Sequence, residues 1–387
     1  MRKTIALLSL GLGLTLSIPS LLLAGDIPLR QVEQHKQEFL GLDEQLWGSP
    51  GKPGDRQALL KAINYSLRYL NTSSALKVYR NYPVPGVTRD RVRRSLIRFR
   101  ELLKNARTPA QLQAAVEREF VFYRSVGTDE RGTVHFTGYF EPVYVASRTP
   151  TAEYRYPLYR KPANFDRWSK PHPTRAQLEG EDGLLGRKSP LSGYELVWLR
   201  DRLEAFLVHV QGSARLRLTD GRTMTVGYGG NTNYPYTSIG RELVNEGIFS
   251  LEELTLPRLI DYLQANPQQL NRYLPRNNRF IFFRETKGAP PTGSLNVPVT
   301  ADRSIATDKS LMPPGALALI HAPIPDFNRA GEPEMPLVSR YVLDQDTGSA
   351  IKGAGRVDVF LGSGQVAGDR AGLLNGTGEL YYLLLKN

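Results

Sequence analysis

The chain has 387 residues with 35 Gly, 27 Pro and no Cys, and its 50 Lys and Arg outnumber 38 Asp and Glu for a formal net charge of +12. This length accommodates two or three domains with sizeable cores. The Gly and Pro usage points to many turns and a β-rich fold, and the missing Cys excludes disulfides, thiolate metal sites and Cys nucleophiles.

The N-terminus comes first in chain order. Arg2 and Lys3 precede an apolar run from Ile5 to Leu23, broken by Gly11, Gly13, Ser17 and Pro19, and polar sequence begins at Asp26. This is the pattern of an export signal over residues 1–25. Ala24 or Gly25 is the candidate residue before the cut, although the Leu two positions earlier is larger than cleavage favours. The run also approaches the ~20 residues that span a bilayer. Cleavage and retention as an N-terminal anchor therefore both stand, and membrane association would run through this segment. No later run is long and apolar enough to span. The expectation is an exported protein, soluble or tethered at its N-terminus. For such a chain the positive balance points away from nucleic acid and towards a carboxylate-bearing wall or an anionic membrane surface. A plain solvated basic surface accounts for it equally.

Residues from about 54 to 126 read as helical. Leu59, Leu60, Ile63, Leu67 and Leu70 recur on one face, as do Val92, Leu96, Ile97 and Leu102. Thr108 followed by Pro109 is a cap with Pro at the first helical position, opening a helix through Phe120. The Arg-rich faces read as solvated exteriors. From Thr133 the pattern changes to short alternating segments separated by turn signals such as Asp220-Gly221 and Gly229-Gly230. The run from Phe206 through Gly230 reads as strand, with His209 inside it, and His135 lies in another strand. Two short helices interrupt, one opening at Ser250 with a capping box to Glu253, the other at Asn266-Pro267. Pro157 to Pro173 and Pro290-Pro291 read as loops or links. Strands that do not alternate regularly with helices predict an α+β, mainly β fold with barrel-like sheets.

Two motifs near the end resemble well-known signatures. Asp346-Thr347-Gly348-Ser349 matches one half of an aspartic-protease site, but that chemistry needs two such aspartates, and Pro291-Thr292-Gly293-Ser294 lacks the acid. Gly362-x-Gly364-x-x-Ala367 resembles a dinucleotide turn, yet the 19 residues after Gly368 are too few for the rest of that fold. These glycines read as a tight turn. There is no Gly-x-Ser-x-Gly and no His-Glu-x-x-His, and the five histidines, His35, His135, His172, His209 and His321, are scattered. No metal or cofactor is expected.

Carboxylate chemistry remains, with Glu141, Asp302, Asp308, Asp344, Asp346, Asp358 and Asp369 as candidates. Asp358 stands between Val357 and Val359, so it faces away from them on a strand. Gly353, Gly355, Gly362 and Gly364 flank it and allow close approach of a backbone or ligand. From periodicity alone a catalytic role and an exposed edge-strand Asp are equally supported. Asp302 and Asp308 read equally well as turn caps.

Six blocks in order, GYFEPV (138–143), VQGSARLRL (210–218), YGGNTNYPYTSIGREL (228–243), NNRFIFFRE (277–285), VPVTADRSIATDKSLMPPG (297–315) and DTGSAIKGAGRVDVFLGSG (346–364), together resemble the membrane-bound lytic transglycosylase A family of peptidoglycan-cleaving enzymes. The resemblance spans about residues 130 to 387. It implies a double-psi β-barrel domain with an inserted second β-rich domain and N-terminal helices. Residues 26–140 would form the helical region and first part of the barrel, 141–286 the insert, and 287–387 the rest of the barrel. It implies cleavage of the β-1,4 bond between N-acetylmuramic acid and N-acetylglucosamine, with the muramic C6 hydroxyl attacking its own C1 to leave a 1,6-anhydro end. The partners implied are glycan strands of peptidoglycan, and a monomer is expected.

The family's catalytic Asp matches Asp358, which would protonate the leaving oxygen and then take the C6 proton. Partial burial and a neighbouring acid, Asp346, would raise its pKa. Asp346 either orients it or forms a turn. Lys352 either holds a substrate acetamide or carboxylate or is solvated. Tyr139, Glu141, Gln211 and Ser213 are the expected groove-wall contacts, with Tyr139 stacking on a sugar face or lying in the core. Family members named for membrane attachment are commonly lipoproteins. Here Asp26 stands where the lipidated Cys would be, so a lipid anchor is not expected and the cell envelope or periplasm is. The alternatives are a glycan-binding wall protein without activity, and a hydrolase using Asp358 with Asp346 or Asp302.

Overall fold

The computed structural model describes residues 27–32, 38–49, 51–250 and 253–386. The export segment at 1–25, like His35, lies outside them. No described helix is long and apolar enough to cross a membrane.

The first sheet closes on itself. Its eight strands order as Leu29–Val32, Phe120–Ser125, Asn375–Leu385, Leu317–Pro323, Leu337–Asp346, Ser304–Ala306, Arg356–Ser363 and Val134–Glu141, and the last also pairs with Asn375–Leu385. The result is a ring of strands. Two of its pairings are parallel, Ser304–Ala306 with Leu337–Asp346 and Arg356–Ser363 with Val134–Glu141. Alternation places Val134, Phe136, Val357 and Val359 in the core, each 0 % exposed. Helices Arg56–Leu70, Ser73–Arg80, Arg89–Asn105 and Pro109–Glu119 cover one flank of the ring. Thr72, Thr88 and Thr108 cap three of them, each accepting from a backbone N–H in the first turn.

A second, six-stranded sheet runs in the order Ile281–Glu285, Thr223–Asn231, Ser213–Leu218, Val143–Ser147, Glu195–Leu199 and Tyr156–Tyr159. It has its own core around Leu158, Val197, Val208 and Leu216. The fold is mixed helix and sheet with strands predominating, as expected.

Several local readings differ from the structure. Phe206 to Gln211 is not strand but the end of helix Arg202–Gln211. Asp201 caps this helix and Gly212, at φ 78°, ends it in the left-handed region. Ala205 and Val208 pack into the second sheet's core while Leu203, Phe206 and Leu207 pack into a separate helical cluster. A helix buried on two sides shows no amphipathic stripe, and its apolar run reads as strand. His209 therefore lies on this helix, accepting at Nδ1 from the Ile281 N–H at 3.2 Å. The helix opened by Thr108 stops at Glu119, and Phe120–Ser125 is strand. Pro157 falls in the edge strand Tyr156–Tyr159. The Ser250–Glu253 capping bonds are present, but residues 251–252 are outside the described set and the described helix begins at Leu256. The second interrupting helix runs Gln268–Tyr273, with Pro267 rather than Asn266 at the N-cap position and no side-chain cap bond. After Gly364 comes a helix, Gln365–Leu373, that the sequence reading lacks.

The Arg-rich helices are not wholly solvated. Arg91 is 7 % exposed and donates through Nε and Nη2 to the Leu385 carbonyl at 2.9 and 2.7 Å. It ties helix Arg89–Asn105 to the last strand. A second polar tie is deeper. Arg303, just before strand Ser304–Ala306, is 0 % exposed. It bonds Asp43, Asp55 (Nε to Oδ2, 2.7 Å) and the Tyr341 carbonyl (2.8 Å). Asp55 is also the N-cap position of helix Arg56–Leu70, so one guanidinium joins helix and barrel. Arg303→Ala leaves the buried Asp43 without its cation and should cost about 3–5 kcal/mol of stability, read as a lowered urea midpoint with the denaturant slope unchanged.

Candidate active site

Asp358 sits in strand Arg356–Ser363, opposite Thr137 in the parallel neighbour and Ala306 on the other side. It is partly buried. Thr137 Oγ1 donates to its Oδ1 at 2.9 Å. Burial pushes the carboxyl up to about 6, against the Arg356 charge and the Thr137 hydrogen bond, which favour the ionised form, and with a smaller push from Asp346. Desolvation thus supplies most of the shift that was expected to come jointly from burial and the neighbouring acid.

Asp346 ends strand Leu337–Asp346. Its Oδ1 accepts from the backbone N–H groups of Ser294 and Thr347, both at 2.8 Å. Its Oδ2 accepts from the Tyr139 hydroxyl at 2.9 Å. Burial raises this carboxyl too, while those donors hold it back. Gly293 allows the approach: a Cβ there would stand 2.5 Å from the Gln345 carbonyl and 3.1 Å from Asp346 Cγ. The Pro291–Ser294 segment, set aside for lacking an acid, therefore closes over the one in Asp346-Thr347-Gly348-Ser349. Gln345 turns the other way, and its Nε2 donates to the Ala62 carbonyl at 2.8 Å. The helices thus stand on the opposite face of this strand from the site.

The other expected site residues fall into three groups. Tyr139 and Glu141 are engaged by protein groups. The Tyr139 ring packs on Phe360 with centroids 5.2 Å apart while its hydroxyl binds Asp346. Glu141 is 1 % exposed; it accepts from Ser363 Oγ at 2.7 Å and from Arg215 of the second sheet at 3.4 Å. A carboxylate so enclosed links the two sheets. Gln211 and Ser213 flank Gly212 at the helix–strand junction, and Gln211 Oε1 accepts from the Phe140 N–H at 3.1 Å. Lys352 is exposed, on the loop that Asp308 anchors through the Gly353 N–H at 3.0 Å.

The remaining carboxylates are committed elsewhere. Asp302 is ion-paired with Arg340 at 2.8 Å and Arg370 at 2.7 Å. Asp344 is fully buried and bonded to Lys309, Thr307 and Tyr382. Asp369 accepts from Gln365. Sequence reasoning missed Thr137, Arg356 and Ser294. Thr137 was legible in principle, two residues before Tyr139 on the same face. Ser294 donates through its backbone, which leaves no side-chain signal.

A single carboxyl held up near neutrality by burial, beside a second one fixed by three donors, suits one acid–base group working on a substrate with its own nucleophile. Comparison with known proteins gives the family. A family model described as the MltA specific insert domain matches residues 135–284, and one described as the 3D domain matches residues 303–384. The membrane-bound lytic murein transglycosylase A of Escherichia coli K12 is 32 % identical over 259 residues, covering 66 % of this chain and 67 % of that protein. Among solved structures, a membrane-bound lytic murein transglycosylase from Agrobacterium tumefaciens aligns with TM-score 0.72 at 28 % identity, covering 93 % of this chain and 98 % of the other. Escherichia coli MltA with bound chitohexaose aligns with TM-score 0.70 at 26 % identity, covering 93 % and 95 %. The chain belongs to the membrane-bound lytic murein transglycosylase A family.

The raised Asp358 carboxyl carries a stability cost with a definite sign. Its folded pKa, about 6, lies above the ordinary carboxyl value of 3.8. The folded state therefore binds the proton more tightly, and stability falls as pH rises through about 6. Asp358→Asn should stabilise the fold at pH 7 to 8 by about 1–2 kcal/mol, allowing for water at the site, and by nothing measurable near pH 4. Urea unfolding of both proteins at the two pH values reads it.

Proposed function

We propose that the chain is a peptidoglycan lytic transglycosylase, a lyase acting on polysaccharide, that cleaves the β-1,4 bond between N-acetylmuramic acid and N-acetylglucosamine. The observation that carries this is Asp358, a carboxyl pushed up to about 6 by burial on the site face of its strand. In the acid form it protonates the glycosidic oxygen of the leaving N-acetylglucosamine. As carboxylate it then accepts the proton of the muramic C6 hydroxyl, which closes on C1 to give the 1,6-anhydro end. Intramolecular attack replaces the activated water of an ordinary glycosidase, so no second catalytic carboxylate is required. Asp346 serves as a positioning residue: its oxygens are engaged by Ser294, Thr347 and Tyr139. That engagement weighs against a hydrolase using Asp346 as its second acid, and the two ion pairs of Asp302 weigh against that residue.

The ring of strands is proposed to be a double-psi barrel, interrupted by an insert over residues 141–286. All six strands of the second sheet fall between Val143 and Glu285. Gln211 and Ser213, at the edge of that insert, are assigned to sugar hydroxyl or acetamide contacts, and Lys352 to the groove rim. The protein is placed in the cell envelope, soluble or held by its N-terminal apolar segment.

Mass spectrometry of products from purified peptidoglycan tests the reaction. Anhydro-muropeptides from the wild type, and at least about 1000-fold less from folded Asp358→Asn, are expected. Reducing-end products would mean hydrolysis and a second carboxylate.

A further inference from the structure

The sheet face that carries Asp358 continues past it. Along the parallel pair, His135 stands opposite Arg356, Thr137 opposite Asp358 and Tyr139 opposite Phe360. The last strand adds Asn375 opposite Thr137 and Thr377 opposite His135. Residues opposite one another in a ladder share a side of the sheet, as do residues two apart on one strand. Two rows result, Asn375–Thr137–Asp358 and Thr377–His135–Arg356. The intervening Val134, Phe136, Val357 and Val359 fill the core, so both rows stand on the outer face. Asn375 and Thr377 are exposed, and His135 and Arg356 are partly buried.

Arg356 is the unexplained member. Among the described residues its guanidinium has no hydrogen-bond or ion-pair partner, and its Nη1 is shielded from solvent. A partly buried guanidinium with five donors and no acceptor calls for one. The opposite charge that acts on it is that of Asp358, on the same face. The reaction begins with Asp358 neutral, and in that state Arg356 has no counter-charge.

We propose that Arg356, flanked by His135 and Thr377, forms a subsite for a carboxylate borne on the 3-O-lactyl substituent of the muramic acid at the scissile bond, and so selects muramyl glycan over a plain N-acetylglucosamine polymer. This rests on the transglycosylase reading. Residues two apart on a strand are about 7 Å apart, comparable with the reach from the anomeric centre to a lactyl carboxylate on the same sugar. Two sources carry this chemistry: the lactyl carboxylate itself where the stem peptide has been removed, or a stem-peptide carboxylate where it has not. An anion on Arg356 also offsets the charge that favours ionised Asp358. The other groups facing Asp358 are Thr137 on the neighbouring strand and Asp346, itself held by Tyr139. Bound muramyl glycan thereby favours the acid form that starts the reaction.

The test is calorimetric binding in an Asp358→Asn background, so that ligand is not consumed. Three ligands are compared: chitohexaose, peptide-free muramyl–glucosaminyl oligomers, and peptide-bearing ones. Each is measured with Arg356 intact, with Arg356→Gln and with Arg356→Lys. Arg356→Gln should weaken at least one carboxylate-bearing ligand by roughly 10- to 100-fold and chitohexaose by less than about threefold, and Arg356→Lys should restore part of the loss. A loss confined to the peptide-free oligomer names the lactyl carboxylate. A loss confined to the peptide-bearing oligomer names the stem peptide, and a loss on both supports the subsite for either. Equal losses on all three ligands, or none on any, overturn the proposal. Circular dichroism and the thermal midpoint confirm that each variant is folded. Wild-type product analysis stands apart: absent anhydro products with carboxylate selectivity intact would remove the transglycosylase reading alone.

Discussion

The site depends on withholding water from one carboxyl. Asp358 sits on a strand whose alternate residues, Val357 and Val359, are sealed in the core. The strand cannot shift by one residue without driving a carboxylate into that core and two valines out of it, so register and chemistry are fixed together. Burial then raises the carboxyl against Arg356 and Thr137, both of which favour its ionised form. The balance leaves a carboxyl raised to about 6, which is what the proposed acid–base role requires.

Further polar groups hold the geometry around it. Asp346 is fastened by the Pro291–Ser294 segment on one side and Tyr139 on the other. Glu141 ends the strand that carries Thr137 and Tyr139, and it joins Ser363 to Arg215 across the two sheets. Movement of the second sheet is thus coupled to the strand ends flanking the acid. Gln211, bonded to the Phe140 N–H, adds a second link at the same corner. Neither link uses the Asp358 carboxyl.

Much of this was legible in the sequence where a local rule acts alone. Thr108-Pro109 opens its helix as read, and the Val-Asp-Val triplet placed Asp358 on the face away from the core. What was not legible depends on partners distant in sequence. Arg202–Gln211 reads as strand because its two apolar faces meet two different cores. Arg91 reads as solvated because its acceptor is the Leu385 carbonyl, nearly three hundred residues away. The Pro291–Ser294 segment has no chemistry of its own, and its backbone N–H matters only once Gly293 lets it settle on Asp346. Arg356 is conspicuous only once the described residues show no acceptor for its shielded Nη1.

The central claim is that burial holds Asp358 as an acid at near-neutral pH. Carbon-13 NMR of protein labelled at aspartate carboxyl carbons measures it directly, with Asp358→Asn assigning the resonance. The account predicts one carboxyl titrating near pH 6 that vanishes in the variant. A resonance assigned to Asp358 that titrates near the ordinary ~3.9 would contradict it, because the group would then be ionised whenever the enzyme works.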